Sequence, residues 1–294
     1  MSAQTLATVM SASGRHFVLC AAEGESRIAV TRGRQLDVVT GDRVVFQALG
    51  SDQAIIESVQ KRRNLLRRSD ARRTKAIAAN IDQVAVVLSG EPPYSESLLM
   101  RVMIAAAIEE VKVLLVATKA DVPEAMARIE ARLELYASLG YPVLRTAAKA
   151  DPDAARSTLL TAFADRKTLL LGQSGMGKST LVNLLVPDAA LLTQSISQAL
   201  QTGRHTTTFT RAFDLPQGGR LIDSPGFQTF GLAHLSTSEI EHALPEVRPL
   251  LGQCRFHNCT HRQEPGCAIR TAVEDGRIDA HRYDCYLALR AEYA

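Results

Sequence analysis

The chain has 294 residues, of which 46% are hydrophobic, and its 34 Lys and Arg residues nearly balance 31 Asp and Glu residues, for a net charge of +3. This length predicts more than one domain, and the balanced charge does not by itself indicate a nucleic-acid or membrane-surface protein. No apolar run approaches the roughly 18 residues that cross a membrane, and residues 1–10 lack a basic start followed by an apolar core. We therefore expect a cytoplasmic protein without a membrane partner.

The N-terminal region contains short apolar or alternating runs, which indicate β-strands. The runs lie at residues 16–20, 27–30, 44–46 and 54–56. Turn residues separate them at intervals of roughly ten residues, a pattern typical of a small barrel or sandwich. A five-stranded OB-fold barrel fits the size, and this fold often binds oligonucleotides. A β-module that only packs against its neighbour fits the pattern equally well.

A basic segment follows at residues 61–75, with eight Lys or Arg residues and one acidic residue. Such a run is either a solvated linker or a contact to a phosphate backbone. Its position beside a candidate OB-fold barrel favours contact with nucleic acid.

From residue 76 onward the pattern is that of an α/β domain. Predicted strands at 84–88, 111–117, 143–147 and 168–171 alternate with predicted helices at 98–108, 125–139 and 157–164. This alternation predicts a mostly parallel sheet with helices on both faces. Ligands of such sheets bind beyond the carboxyl ends of the strands, so the loops there are the places to search.

The strand at 168–171 leads into the motif G-x-x-x-x-G-K-[ST], which an apolar helical pattern follows. Its glycines allow successive N–H groups to surround a phosphate, with a helix N-terminus behind them. Lys178 can reach the terminal phosphates, and the Ser179 hydroxyl can bind Mg²⁺. The residues expected to bind nucleotide here are Leu171, Gly172, Gln173, Ser174, Gly175, Met176, Gly177, Lys178, Ser179 and Thr180.

A second candidate loop, T-K-A-D, follows the strand at 111–117 and comprises Thr118, Lys119, Ala120 and Asp121. The Asp121 carboxylate can accept hydrogen bonds from N1–H and the 2-amino group of guanine. Adenine offers no such pair of donors and would leave the acceptor unpaired. The Lys119 stem can lie over the base. N–H groups of the turn at 146–149 can reach guanine O6.

A third candidate loop, D-x-x-G, ends an apolar strand at Asp223 and closes at Gly226. Asp223 can hold Mg²⁺ through water, and the Gly226 N–H can contact the γ-phosphate. The polar stretch at 193–210 precedes this strand and has little apolar surface to bury. One of its threonines can bind Mg²⁺ when GTP is present, and we favour Thr207.

Cysteine and histidine residues cluster near the C-terminus. Three thiolates and one imidazole suit a closed, tetrahedral, structural Zn²⁺ site. The predicted ligands of one zinc ion are Cys254, Cys259, His261 and Cys267. His257 is a rival ligand, whereas Cys20 and Cys285 are expected to be packed thiols.

In the usual numbering of GTPase motifs, T-K-A-D is G4, the turn at 146–149 is G5, the phosphate loop is G1, the stretch at 193–210 is G2 and D-x-x-G is G3. Their order along this chain is therefore G4-G5-G1-G2-G3, because T-K-A-D at 118 precedes the phosphate loop at 172. This order, with a β-barrel before it and a Cys/His cluster after it, resembles the RsgA family of circularly permuted GTPases, which depend on the small ribosomal subunit. The stretches A-A-N-I-D, G-Q-S-G-M-G-K-S-T, G-R-H-T-T-T and D-S-P-G-F, together with the cysteine spacing, carry the resemblance.

The resemblance implies a multidomain fold with an OB-fold barrel at 1–69, a circularly permuted P-loop GTPase domain at 70–232 and a small α-helical zinc-binding domain at 233–294. It implies a monomer that hydrolyses GTP to GDP, is stimulated by the 30S subunit, binds 16S rRNA and acts in late maturation of that subunit. It also favours His261 over His257 as a zinc ligand. An rRNA-binding adaptor with static nucleotide and a P-loop ATPase or small-molecule kinase stay open as alternatives.

Two positions bear on mechanism and affinity. Phe227 stands where Ras-like enzymes have the Gln that orients the attacking water, so hydrolysis needs another group, and the resemblance implies that His205 supplies it. Thr118 stands where the family usually has Asn. The hydroxyl donor of Thr reaches less far than the side-chain amide of Asn. We therefore expect the preference for guanine to be kept and the affinity for guanine nucleotide to be lowered.

Overall fold

The computed structural model describes residues 5–21, 24–33, 36–69, 73–189 and 210–293. A β-barrel, an α/β unit and a group of C-terminal helices follow one another along the chain. Within the described ranges no helix combines the length and the apolar character that crossing a bilayer requires.

Five strands form the barrel, namely β1 (Thr5–Ser13), β2 (His16–Ala21), β3 (Ser26–Thr31), β4 (Arg43–Ala48) and β5 (Gln53–Val59). Strand β1 pairs with both β2 and β4, and β3 pairs in parallel with β5, so the sheet closes in the order β1-β2-β3-β5-β4. This confirms the predicted five-stranded barrel. Strand β1 was not among the predicted strands, because Thr and Ser interrupt its apolar residues and leave neither an apolar run nor a regular alternation.

The basic segment forms a β-hairpin and not an irregular linker. Its strands are β6 (Leu65–Ser69) and β7 (Thr74–Ala79), which pair antiparallel. Leu66 and Ala78 are fully buried in the main core, whereas Leu65 and Ala79 pack with Val39. The exposed positions of the hairpin include Arg67 and Lys75.

The α/β unit contains the predicted alternation. Its elements are β8 (Gln83–Leu88), α1 (Glu96–Ile108), β9 (Lys112–Ala117), α2 (Pro123–Ala127), α3 (Glu130–Ser138), β10 (Val143–Arg145), α4 (Pro152–Phe163), β11 (Lys167–Gly172), α5 (Lys178–Leu185), β12 (Arg211–Asp214) and β13 (Arg220–Asp223). The strand order is β10-β9-β8-β11-β13-β12, and every pairing is parallel except that between β12 and β13. The helix predicted at 125–139 is two helices, because the buried Ile129 leaves helical geometry at φ −120°.

The barrel and the α/β sheet are continuous. Ser11 of β1 pairs with Arg211 of β12, which makes one sheet of 11 strands. Next to this pair, the Thr40 hydroxyl donates to the Thr210 carbonyl at 2.9 Å.

The C-terminal helices are α6 (Thr237–Ala243), α7 (Ala268–Glu274) and α8 (Ala280–Glu292), with a 3-10 turn at Arg248–Leu250. Helix α6 begins with a capping box in which Ser236 and Glu239 satisfy each other's backbone N–H groups. Ile240, Ile269 and Leu289 are buried in the same apolar cluster as α1. These helices therefore share a core with the α/β unit.

Candidate nucleotide and metal sites

The phosphate loop joins β11 to α5 at the centre of the sheet. Gly175 and Gly177 have φ of +81° and +90°. A residue with a Cβ atom would be strained at these backbone angles. Burial lowers the pKa of Lys178, while the nearby carboxylate of Asp223 opposes that shift. The loop thus presents backbone donors and a half-buried cation at the carboxyl edge of the sheet.

The T-K-A-D loop lies against the phosphate loop. The Thr118 hydroxyl donates to the Met176 carbonyl at 2.8 Å. The Ala120 N–H donates to the Thr146 carbonyl at 3.1 Å, so the turn at 146–149 lies beside the same loop. Asp121 is exposed at the rim, where its carboxylate is accessible to a ligand.

The D-x-x-G loop approaches the phosphate loop from the other side. A Cβ added at Gly226 would lie 3.4 Å from Lys178 Nζ and 3.6 Å from the Ser174 N. Burial raises the pKa of Asp223, and the charges of Lys178 and Arg211 oppose that rise. The three predicted loops therefore meet, although they are far apart along the chain.

The site contains further contacts that the sequence pattern does not predict. Arg211 is only 4% exposed and is the register partner of Asp223 across β12 and β13. The Ser95 N–H donates to Gln173 Oε1 at 2.7 Å. A Cβ at Gly175 would lie 3.2 Å from Pro92 Cγ. Strand register and tertiary packing create these contacts, and no local spacing signals them.

His205 and Thr207 lie outside the described residues. Phe227, the residue after D-x-x-G, is 6% exposed, and its ring packs edge-on against Phe230 with centroids 5.6 Å apart. Its side chain points into the core and offers no polar atom for orienting water.

The four predicted zinc ligands come together. The ligand atoms of Cys254, Cys259, His261 and Cys267 all lie within 4.8 Å of one another. His261 Nδ1 lies 3.5 Å from Cys254 Sγ and 3.4 Å from Cys267 Sγ. Burial raises the pKa of the Cys259 thiol to about 12, so a Cys259 thiolate needs a cation beside it. This set can hold a tetrahedral metal ion.

Other groups support or flank this cluster. Glu241 Oε1 lies 3.8 Å from His261 Nε2, a position from which a carboxylate can orient a metal-bound imidazole. His257 is exposed and lies outside the cluster. Cys20 and Cys285 are half-buried and also lie outside it.

The fold and the meeting loops define a circularly permuted P-loop GTPase preceded by a barrel. The model of the RsgA GTPase family matches residues 59–233, and the chain belongs to this family. It is therefore a GTP hydrolase.

The chain is similar to proteins named small ribosomal subunit biogenesis GTPase RsgA. The relative from Paraburkholderia phytofirmans is 51% identical over 96% of this chain and 91% of its own length, and that from Burkholderia pseudomallei is 51% identical over 96% and 90%. The crystal structure of YjeQ from Thermotoga maritima matches with a TM-score of 0.76 and 26% identity over 99% of each chain. YloQ, a circularly permuted GTPase, has the same fold, with a TM-score of 0.71 over 99% of this chain and 96% of its own.

Proposed function

We propose that this GTPase binds guanine nucleotide and Mg²⁺ where its three loops meet. The observation that carries the proposal is the convergence of Gly226 and Thr118 on one phosphate loop from opposite sides. Lys178 binds the terminal phosphates, Asp121 binds the guanine edge, and the Gly226 N–H contacts the γ-phosphate. The proposed nucleotide site comprises residues 118–121 and 171–180 together with Asp223 and Gly226.

Magnesium is bound in this proposal by Ser179, by Thr207 and, through water, by Asp223. His205 orients or deprotonates the attacking water. The burial of Phe227 supports this assignment, because the residue after D-x-x-G contributes no polar group. His205→Ala should lose stimulated turnover, whereas His257→Ala, at an exposed histidine, should keep it.

The chain acts, in our proposal, in late maturation of the small ribosomal subunit, as a monomer in the cytoplasm. Its barrel and basic hairpin bind 16S rRNA, and the 30S subunit stimulates hydrolysis. A cleft of about 650 Å³ beside the hairpin supports the RNA contact, since its lining includes Arg68, Arg73 and Lys75, whereas Arg101 in the same cleft is paired with Glu292. Clustered cations attract the phosphate backbone of nucleic acids. The relatives' names support the ribosomal role.

One structural Zn²⁺ is held by the cluster of three cysteines and His261 in this proposal, which the donor set supports. The proposed domains span residues 1–69, 70–232 and 233–294. Hairpin β6–β7 crosses the first boundary and ties the barrel to the GTPase domain.

The decisive assay measures GTP hydrolysis with and without purified 30S subunits. Strong stimulation supports the proposal, and binding without turnover would favour an rRNA-binding adaptor. ATP hydrolysis as fast as GTP hydrolysis would favour an ATPase.

A second assay tests which base the site recognises. Asp121→Asn replaces an acceptor with an amide that can donate to the 2-carbonyl of xanthine. The variant should lose at least about tenfold in GTP affinity and gain affinity for xanthosine triphosphate. Asp153→Asn, at an exposed position on α4, is the matched control. Unchanged base preference in Asp121→Asn would remove Asp121 from the site.

A further inference from the structure

Among the residues that the structure describes, both hydrogen-bond partners of the Thr118 hydroxyl are carbonyl oxygens, which are acceptors. Its hydroxyl oxygen lies 2.8 Å from the Met176 carbonyl and 3.3 Å from the Leu88 carbonyl. A threonine hydroxyl has a single proton, and a carbonyl cannot donate one. The proton is therefore committed to one of these two carbonyls, and the shorter distance identifies Met176 of the phosphate loop.

The same hydroxyl is enclosed. Thr118 is 4% exposed, and a Cβ placed on Gly177 would come within 3.4 Å of its Oγ1 and 3.5 Å of its Cγ2. The residue is wedged between the end of β8 and the turn that begins α5. Breaking its bond to Met176 would remove a buried hydrogen bond from the phosphate loop, which is costly.

Guanine presents acceptors at N7 and O6 along one edge. On another edge, N1–H and the 2-amino group are donors that suit the Asp121 carboxylate. A group whose proton is already committed has only lone pairs left, and lone pairs cannot bind N7. The neighbouring Lys119 directs its ammonium to the Glu91 carbonyl.

We propose that Thr118 braces the phosphate loop and does not contact the base, so that this chain recognises guanine without reading N7. This inference rests on the guanine site proposed above and identifies which edge of the base determines specificity. Thr118 is accordingly a positioning residue for the phosphate loop.

The test compares GDP with 7-deaza-GDP, in which a C–H group replaces N7. Affinities are measured for the wild-type full-length protein by competition with fluorescent GDP in the presence of Mg²⁺. We expect the two affinities to agree within about threefold, because no hydrogen bond is lost. A larger loss for 7-deaza-GDP overturns the inference.

Two variants separate bracing from base contact. Thr118→Val keeps the shape and removes the hydroxyl, so it should weaken GDP and 7-deaza-GDP by the same factor. A loss confined to GDP would mean that the hydroxyl does read N7. Thr118→Asn adds N–H donors and should create a preference of about tenfold for GDP over 7-deaza-GDP, the worth of one hydrogen bond.

Inosine diphosphate, which lacks the 2-amino group, keeps the two proposals distinguishable. Binding at least about tenfold weaker than that of GDP supports the guanine site. Inosine diphosphate binding as tightly as GDP would overturn that site itself. Weak 7-deaza-GDP binding together with weak inosine diphosphate binding would overturn only the inference about Thr118.

Discussion

At the residue scale, the proposed phosphate site depends on a lysine that is half-buried before any ligand arrives. Lys178 Nζ faces the D-x-x-G loop at Gly226, and burial lowers its pKa. A phosphate would add negative charge beside the partly desolvated ammonium, as the Asp223 carboxylate already does. Nucleotide binding and Lys178 ionisation are therefore expected to support each other.

Lys178→Ala removes this cation and should lower the rate of GTP hydrolysis by at least about a hundredfold, the usual loss when one electrostatic stabiliser of a transition state is deleted. Single-turnover hydrolysis measures it. Lys112→Ala, at an exposed lysine that begins β9, is the control and should keep the wild-type rate. Equal rates for both variants would contradict the placement of Lys178 at the phosphates.

Residues within one loop could be predicted from the sequence, and residues brought together by strand register could not. The phosphate loop is contiguous, so its glycines and Lys178 are visible as a spacing. Arg211 becomes the neighbour of Asp223 only through the pairing of β12 with β13. The bond between Ser95 and Gln173 depends likewise on packing between distant segments.

At the scale of elements, α1 connects the phosphate loop to the C-terminal helices. Ser95 caps α1 and contacts Gln173, and the next residue, Glu96, accepts a bond from Arg132 at 2.7 Å. Arg132 also donates to Asp279, the N-cap of α8, at 2.8 Å. A chain of polar contacts thus runs from the nucleotide site to the helices that follow the zinc cluster.

The acid stability of the protein should depend on Glu96. Burial raises the pKa of Glu96, but bonds from Arg132, Tyr136 and Tyr94 outweigh that effect and lower the pKa below 4.5 overall. Its contribution to stability is therefore complete above pH 4.5 and is lost as the pH falls through the lowered value. Glu96→Gln should melt below the wild type at pH 7, and the difference should shrink as the pH drops below 4.5.

The control for this titration is Glu124→Gln, at an exposed carboxylate on α2. It should melt close to the wild type across the same range of pH. Thermal melting of all three proteins between pH 7 and pH 3 provides the measurement. A constant gap between wild type and Glu96→Gln would contradict the assigned role.

Zinc removal should affect more than the cysteine loop, because the C-terminal helices share a core with α1. Cys267 is both a proposed ligand and the N-cap of α7, so Cys267→Ser should abolish zinc content. It should also destabilise the protein by more than about 3 kcal/mol, as loss of a structural metal does. Cys285→Ser, outside the cluster, should retain one zinc per chain. Metal analysis measures the zinc content of both variants, and equal contents would contradict the assignment of Cys267 as a ligand.

Element prediction succeeded where hydrophobic patterns were long and failed where tertiary contacts supply the stability. The buried strands of the α/β unit were recognisable as apolar runs. Thr and Ser interrupt the apolar residues of strand β1, and the strands of hairpin β6–β7 lie within a segment rich in Lys and Arg. Helices α6 and α7 are short, and the core they share with α1 stabilises them.

At the scale of the whole molecule, permutation places each flanking module beside the nucleotide site. The D-x-x-G loop continues through Phe230 and Leu232 into the C-terminal helices, and both residues are buried in their core. On the other side, β1 of the barrel adjoins β12. Cutting the chain elsewhere would keep the sheet but separate these modules from the site.

The packing of the barrel on the hairpin can be tested at a glycine. A Cβ on Gly41 would lie 2.1 Å from the Ala79 carbonyl oxygen, whereas one on Gly50 would meet nothing within 4 Å. Both glycines have positive φ, of +94° and +86°. Gly50→Ala should cost about 1 kcal/mol of backbone strain, and Gly41→Ala should exceed it by at least about 2 kcal/mol. Denaturant unfolding compares them, and equal costs would show that the barrel does not press on β7.

In the described part of the chain, one residue pair bridges β1 to β12, and the barrel also packs on hairpin β6–β7 through Val39 and Ala79. A strand cannot slide by one residue without turning each of its side chains to the opposite face. A sheet can, however, change its twist. Since Arg211 is bridged to Ser11 and is also the register partner of Asp223, a rearrangement at that carboxylate would reach the barrel as torsion about this pair. The nucleotide site and the barrel are therefore joined through Arg211 and Ser11.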